Sequence, residues 1–168
     1  MQVRLAELAE IPQLNDVEAD AGRSFLGLPD FAFVADYPLP EEEAYFPFIR
    51  ERRAFACNEG GRILGFVLMG EVDGRGHVFQ VSVRRGHQRR GLGRLLMARG
   101  EDWARSRGLS EVSLTTFRDV PWNGPAYARL GYSQVPDGMA GAELAAILAN
   151  ERAIGLFRQV RIAMLKRL

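Results

Sequence analysis

Between His77 and Trp103 the chain reads HVFQVSVRRGHQRRGLGRLLMARGEDW, and the period of its apolar residues changes once along the way. His77–Val83 alternates, with Phe79, Val81 and Val83 forming one apolar line, which is the period-two signature of a strand. From Leu92 onward the spacing becomes helical, with Leu92, Leu95, Leu96 and Trp103 on one face. The two patterns meet at QRRGLG, Gln88 to Gly93. Gly91 and Gly93 carry no side chain, so an anion has access to backbone N–H groups there. The first N–H groups of a helix have no intrahelical acceptor, and the helix dipole adds to their attraction for negative charge. Strand, glycine turn and helix together predict a phosphate site.

The kind of phosphate site is narrowed by spelling. The turn lacks the Gly-Lys-Ser/Thr ending that a nucleoside triphosphate loop requires. It also lacks the third glycine of a dinucleotide fingerprint. Arg89, Arg90 and Arg94 surround it, together with Arg84 and Arg85. These arginines are read either as a solvated face or as neutralisation of a pyrophosphate and a further phosphate.

Taken in order, Met1–Ala6 is a predicted strand, and a helix follows from Ile11 to Gly22, with Pro12 in its first turn. An irregular stretch holding Phe25, Phe31, Phe33 and Tyr37 comes next, then a helix over Glu41–Arg50. Its aromatic rings either tuck into a core or line a pocket. Arg53–Asn58 and Ile63–Val72 are strands joined by Gly60-Gly61, and Asp73-Gly74 turns into the His77 strand. Glu111–Phe117 is a strand able to return parallel to it, because a helix crosses between them. Tyr132 opens a short strand, Gly138–Gly155 reads as an alanine-rich helix and Arg158–Leu165 as a last strand.

A second motif, WNGPAYARLGY, spans Trp122–Tyr132. Asn123 or Gly124 caps a helix, Pro125 suits its first turn, and Gly131 ends it. QRRGLG after a strand resembles the pyrophosphate-binding turn of the GNAT N-acetyltransferase superfamily. Asn123, Ala126, Tyr127, Gly131 and Tyr132 resemble that superfamily's later motif, position by position. The resemblance implies an α/β (α+β) fold in a single GNAT-like domain, residues 1–168. Its sheet would be mixed, mostly antiparallel and twisted, with a central parallel strand pair and flanking helices.

The resemblance further implies acetyl transfer from acetyl-CoA to a primary amine, by direct attack in a ternary complex. The cofactor would lie along Val81, Ser82 and Val83, whose backbone is freed by a splayed strand, and on Gln88, Arg89, Arg90, Gly91, Leu92, Gly93 and Arg94. Asn123 would bond its arm, or serve only as a helix cap. An alkylamine is protonated at neutral pH and must lose a proton before attack, and the leaving thiolate benefits from an acid. Tyr127 matches the superfamily's acid. His77, eleven residues before Gln88, is the candidate base, with an acidic limb expected near pH ~6.5–7.5 for an ordinary imidazole; the plain alternative is a strand-end residue. Phe25, Phe31 and Tyr37 are expected on the acceptor side.

Composition sets the remaining expectations. With 168 residues, 47% hydrophobic and 26% charged, the chain has the balance of a globular domain. A net charge of +1 predicts no nucleic-acid partner and no acidic membrane surface. The lone Cys57 reads as a buried strand thiol and predicts neither a disulfide framework nor a metal site. No apolar block of signal-peptide or membrane-span type is seen, so the expected location is cytoplasmic and the expected assembly a monomer or homodimer. Three classes stay open: acetyl transfer to a small-molecule amine, to a protein N-terminus or lysine, and acyl-CoA binding without catalysis.

Overall fold

The computed structural model describes residues 2–136, 138–156 and 159–168. Among the described residues seven strands form one mixed sheet: β1 (Gln2–Leu5), β2 (Ala54–Glu59), β3 (Arg62–Val72), β4 (Arg75–Val83), β5 (Glu111–Phe117), β6 (Ser133–Gln134) and β7 (Arg161–Arg167). Their order is β1-β2-β3-β4-β5-β7-β6. The β4–β5 pair is parallel, and the β1–β2, β2–β3, β5–β7 and β6–β7 pairs are antiparallel. The helices are α1 (Ile11–Gly22), α2 (Phe46–Arg50), α3 (Leu92–Ser106), α4 (Gly124–Arg129) and α5 (Ala142–Ala153). The mixed sheet with one parallel pair and flanking helices is the expected architecture.

The chain divides into two compact units, Met1–Met69 with Gln80–Asp102, and Gly70–Phe79 with Trp103–Leu168. In the first unit α1 presents Ile11, Leu14 and Val17 to a core that includes Tyr45, Ile63 and Phe66. The helix predicted over Glu41–Arg50 is divided there into a 3-10 turn, Glu42–Tyr45, and the short α2. Pro47 explains the break, because it has no N–H for the bond back to residue 43. The aromatic stretch is two 3-10 segments, Arg23–Gly27 and Pro29–Asp36. Cys57 is a fully buried β2 thiol, and burial pushes its pKa up.

In the second unit β5 pairs with β7 along its whole length, from Glu111↔Arg167 to Phe117↔Arg161. The helix α5 buries Leu144 against Val72 and Ala163, with Ile147 and Leu148 alongside. The Gly138–Gly155 expectation is thus trimmed to α5. The last strand starts at Arg161, and the Arg158 that began its predicted span lies outside the described residues, as does Met1.

Two apolar patterns of the sequence are only partly buried. On β4 the buried side chains include Val78 and Ser82, while Phe79 is 43% exposed and Val81 and Val83 are half-buried. The apolar line is therefore only partly covered, with Phe79 its exposed member. On α3, Leu92, Leu96 and Trp103 are buried but Leu95 is 43% exposed. At about 100° per residue Leu95 stands roughly 60° off Leu92, on the shoulder of the stripe.

Candidate active site

The turn after β4 is held from inside the protein. Gln88 donates from Nε2 to the Val83 carbonyl (3.0 Å) and to Ser24 Oγ (3.1 Å), and its backbone N–H bonds the Arg85 carbonyl. Gln88 therefore fixes the turn against the end of its strand and against the segment following α1. Arg84 donates from Nε to the Ile63 carbonyl at 2.8 Å, and Arg85 bonds Asp20 through both its backbone N–H and Nε. These two of the five clustered arginines are engaged in structure; Arg89, Arg90 and Arg94 are exposed, with Arg90 Nη1 3.4 Å from His87 Nδ1.

Arg89 and Gly91 take left-handed backbone conformations, with φ of 57° and 84°. The chain then enters α3, and the first bond of this turn runs from the Leu95 N–H to the Gly91 carbonyl at 3.0 Å. The N–H groups just before Leu95 thus precede the first helical acceptor. A Cβ added to Gly93 would meet nothing within 4 Å. Open space, helix-start amides and three exposed guanidinium groups make a cradle for a pyrophosphate-bearing ligand.

In the second unit the parallel ladder between β4 and β5 has three register pairs, Gly76↔Val112, His77↔Ser113 and Val78↔Leu114. Pairing stops at Val78, although β4 continues to Val83. Backbone groups at Val81, Ser82 and Val83 thus lie beyond the parallel ladder. The Ser82 hydroxyl accepts from Gln80 Nε2 at 2.9 Å.

His77 is 1% exposed, so it is an interior residue rather than a strand-end one. Its Nδ1 bonds Ser113 Oγ at 2.8 Å, and Ser113 donates to the Gly76 carbonyl at 3.3 Å. With the serine proton committed there, Nδ1 carries the imidazole hydrogen. Burial pushes the His77 pKa down to about 4, against the opposing fields of Glu151 and Asp73. The limb expected at pH ~6.5–7.5 for a solvated imidazole does not apply to this environment. Ser113 was the missing partner. The polar Ser and Thr of EVSLTTF, alternating with Val112 and Leu114, were its trace in the sequence.

Tyr127 lies on α4, with its ring edge-on to Tyr132 at 6.1 Å between centroids. Burial pushes its phenol up to about 12, and the cation of Arg161 pulls the other way. Asn123 is the N-cap residue of α4, but its side chain makes no capping bond; only its carbonyl accepts, from the Tyr127 N–H at 2.9 Å. Of the aromatic residues, Phe31 is buried in the first unit, and Phe25 and Tyr37 are half-buried.

The acetyltransferase (GNAT) family matches residues 23–132, a span that contains both the glycine turn and Tyr127. The chain belongs to this family. As a GNAT protein it is an acetyl-CoA-dependent N-acetyltransferase. Solved structures agree in fold. The PaiA N-acetyltransferase of Thermoplasma acidophilum, in complex with coenzyme A, superposes with a TM-score of 0.74 at 12% identity, covering 99% of this chain and 98% of that one. A ribosomal-protein-alanine N-acetyltransferase of Brucella melitensis gives 0.70 at 15% identity, covering 100% of both chains. The N-acetylglutamate synthase of Neisseria gonorrhoeae, complexed with coenzyme A and N-acetyl-glutamate, gives 0.73 at 17% identity over 99% of this chain and 35% of that one. Among the described residues of this GNAT chain, no helix is long and apolar enough to cross a membrane, and no cluster of His, Cys, Asp and Glu is arranged to hold a metal.

Proposed function

We propose that this protein, as one domain over residues 1–168, transfers acetyl from acetyl-CoA to a primary amine of a small molecule in the cytoplasm. The observation that carries the coenzyme assignment is the Gly91–Arg94 helix start with open space at Gly93. Bound acetyl-CoA supplies an activated thioester carbonyl. Arg89, Arg90 and Arg94 neutralise its phosphates, and the Gly91–Gly93 backbone, Leu92 included, approaches them. Val81, Ser82 and Val83 offer backbone groups to the pantetheine arm, with Asn123 as a further polar contact.

Tyr127 is assigned as the acid that protonates the departing thiolate. A phenol whose pKa stands near 12 is protonated throughout the working range, as an acid must be. His77 is assigned as the base that receives the amine proton, directly or through water. Its depressed pKa keeps it unprotonated at neutral pH, so the acidic limb of the rate profile falls near 4 if His77 sets it.

Of the three aromatic residues expected on the acceptor side, the half-buried Phe25 and Tyr37 are assigned to it, and the buried Phe31 is assigned to packing. A near-neutral net charge of +1 and this aromatic segment support a small, partly apolar amine. Because the Brucella melitensis relative in fold is a ribosomal-protein-alanine N-acetyltransferase, a protein N-terminus is the second reading. The deciding experiment incubates the purified protein and acetyl-CoA with a panel of alkylamines, arylalkylamines and short peptides, following thiol release. Turnover of free amines with no turnover of peptides supports the first reading. Turnover confined to peptides overturns it.

A further inference from the structure

Side chains alternate along a strand, so residues 78, 80 and 82 of β4 share one face. That face is closed at both ends and open in the middle. Val78 is 7% exposed and Ser82 5%, while Gln80 between them is half-buried. Gln80 Nε2 donates to Ser82 Oγ at 2.9 Å. The pair is otherwise incompletely bonded. Among the described residues the Ser82 hydroxyl hydrogen has no acceptor, and Gln80 Oε1 has no donor. Every buried side-chain nitrogen and oxygen there has a hydrogen-bond partner, so the unbonded Gln80 Oε1 is open to solvent.

Buried polar hydrogens are ordinarily paired, so a buried hydroxyl that accepts without donating points to an absent acceptor. Together the two side chains present one free donor beside one free acceptor. A secondary amide is their complement, with one carbonyl and one N–H. The match survives an exchange of oxygen and nitrogen in the Gln80 amide. Ser82 then donates to Gln80, Nε2 becomes the free donor, and the Ser82 lone pairs accept.

Position selects which amide. Ser82 directly precedes Val83, whose carbonyl accepts from Gln88 of the glycine turn at 3.0 Å. The parallel ladder of β4 ends at Val78, short of both residues. An arm that leaves the Gly91–Gly93 turn and runs back along β4 therefore meets Ser82 and then Gln80, at about 3.3 Å of strand per residue. Acetyl-CoA has such an arm, and the arm contains secondary amides.

We propose that the Gln80 and Ser82 side chains bind an amide of the pantetheine arm, a role that rests on the reading of the Gln88–Arg94 turn as the coenzyme site. This contact adds to the backbone groups of Val81, Ser82 and Val83. It sets how far along β4 the thioester stands from the turn.

Calorimetry on the full-length protein with two probes tests the role. Coenzyme A carries the arm. The nucleotide 5′-diphosphoadenosine 3′-phosphate has the same base, ribose and phosphates but no arm. Ser82→Ala removes the hydroxyl without adding volume, and Gln80→Met keeps side-chain length while removing the amide. Each variant is expected to bind coenzyme A about fivefold more weakly, the worth of one neutral hydrogen bond, and to bind the armless nucleotide as the wild type does. Unchanged coenzyme A affinity in either variant overturns the proposal and leaves the turn assignment standing. Equal losses for the two probes also overturn it, because a distorted turn weakens both. A wild type that does not bind the armless nucleotide overturns the reading of the turn, and the proposal with it. If Gln80→Met does not fold, Ser82→Ala decides alone.

Discussion

Asp73 and Glu143 cap each other across seventy residues of chain. The Asp73 carboxylate accepts the backbone N–H groups of Glu143 and Leu144, each at 3.0 Å, and the Glu143 carboxylate accepts the Asp73 N–H. A capping box normally joins residues three apart at one helix start. Here its two halves come from the Asp73-Gly74 hairpin turn and the first turn of α5, so the reciprocal bonds dock the helix onto the β3–β4 hairpin.

A Cβ at Gly141 would overlap the Asp73 carboxylate, so a side chain there displaces that carboxylate from its cap. Gly141→Ala is expected to lower Tm by about 2–4 °C, the effect of losing one cap in a domain of this size. The bonds from Leu144 and then Glu143 hold the Asp73 carboxyl below the usual carboxylate range. Its folded pKa is below its unfolded one, so its contribution is present above the unfolded value and is lost as pH falls through the folded value. The Tm deficit of Gly141→Ala should therefore shrink in strong acid. A deficit independent of pH would mean that the glycine matters for another reason.

Much of the fold was legible because it is local. The predicted bounds of α1 and β5 coincide with the observed ones, and the Asp73-Gly74 turn has φ of 52° and 70°, both positive as a tight hairpin requires. What escaped sequence reading depends on distant partners. His77 is interior because Ser113 faces it in a parallel register, and no spacing near His77 reveals that. The same holds for Glu143 with Asp73, and for Glu151, which follows an alanine-rich stretch whose periodicity does not announce a charge pair with Arg161. Gln88 shows the converse. Its motif position was legible, but its amide bonds to Ser24 and Val83 were not.

The coenzyme site is best probed at Gly93. Gly91 has φ of 84°, so any side chain there strains the turn whether or not a phosphate binds. Gly93 lies in α3 with open space around it, so Gly93→Ala should leave the fold intact or stabilise it by roughly 0.5–1 kcal/mol. A methyl in the path of the pyrophosphate should weaken acetyl-CoA binding by about tenfold or more, read by calorimetry. Unchanged affinity would remove the turn from the coenzyme site.

The aromatic residues should separate by burial. Phe31 is 9% exposed, and Phe31→Ala should cost stability on the order of 3 kcal/mol, as core phenylalanines do. Phe25→Ala and Tyr37→Ala remove half-buried rings and should raise the acceptor KM while leaving the acetyl-CoA KM in place. Equal changes in both constants would assign these rings to packing alone.

His77 links stability to pH. Its folded pKa of about 4 lies below the ordinary imidazole value, so the unfolded chain binds the extra proton first as pH falls. Stability should be full above about pH 6.5 and should drop by about 3 kcal/mol on approach to pH 4, visible in urea midpoints. His77→Gln removes that slope. If the same variant also lowers kcat at neutral pH with coenzyme affinity kept, the base assignment gains support. A lower Tm with unchanged kcat would leave His77 as a clamp between β4 and β5.

Tyr127→Phe addresses the acid directly. The ring stays against Tyr132, so packing changes little and Tm should hold. Only the hydroxyl is lost, and a positioned acid is worth about 10²–10⁴-fold in rate. The expected result is a kcat lower by at least the smaller of those factors with acetyl-CoA affinity unchanged. Any alkaline limb set by the phenol, near 12 in the wild type, should vanish with it. Thiol release measured with a slow chemical step is the required assay, because rapid product release must not mask the proton transfer. Turnover close to wild type under that condition would place the protonation of the thiolate on solvent rather than on Tyr127.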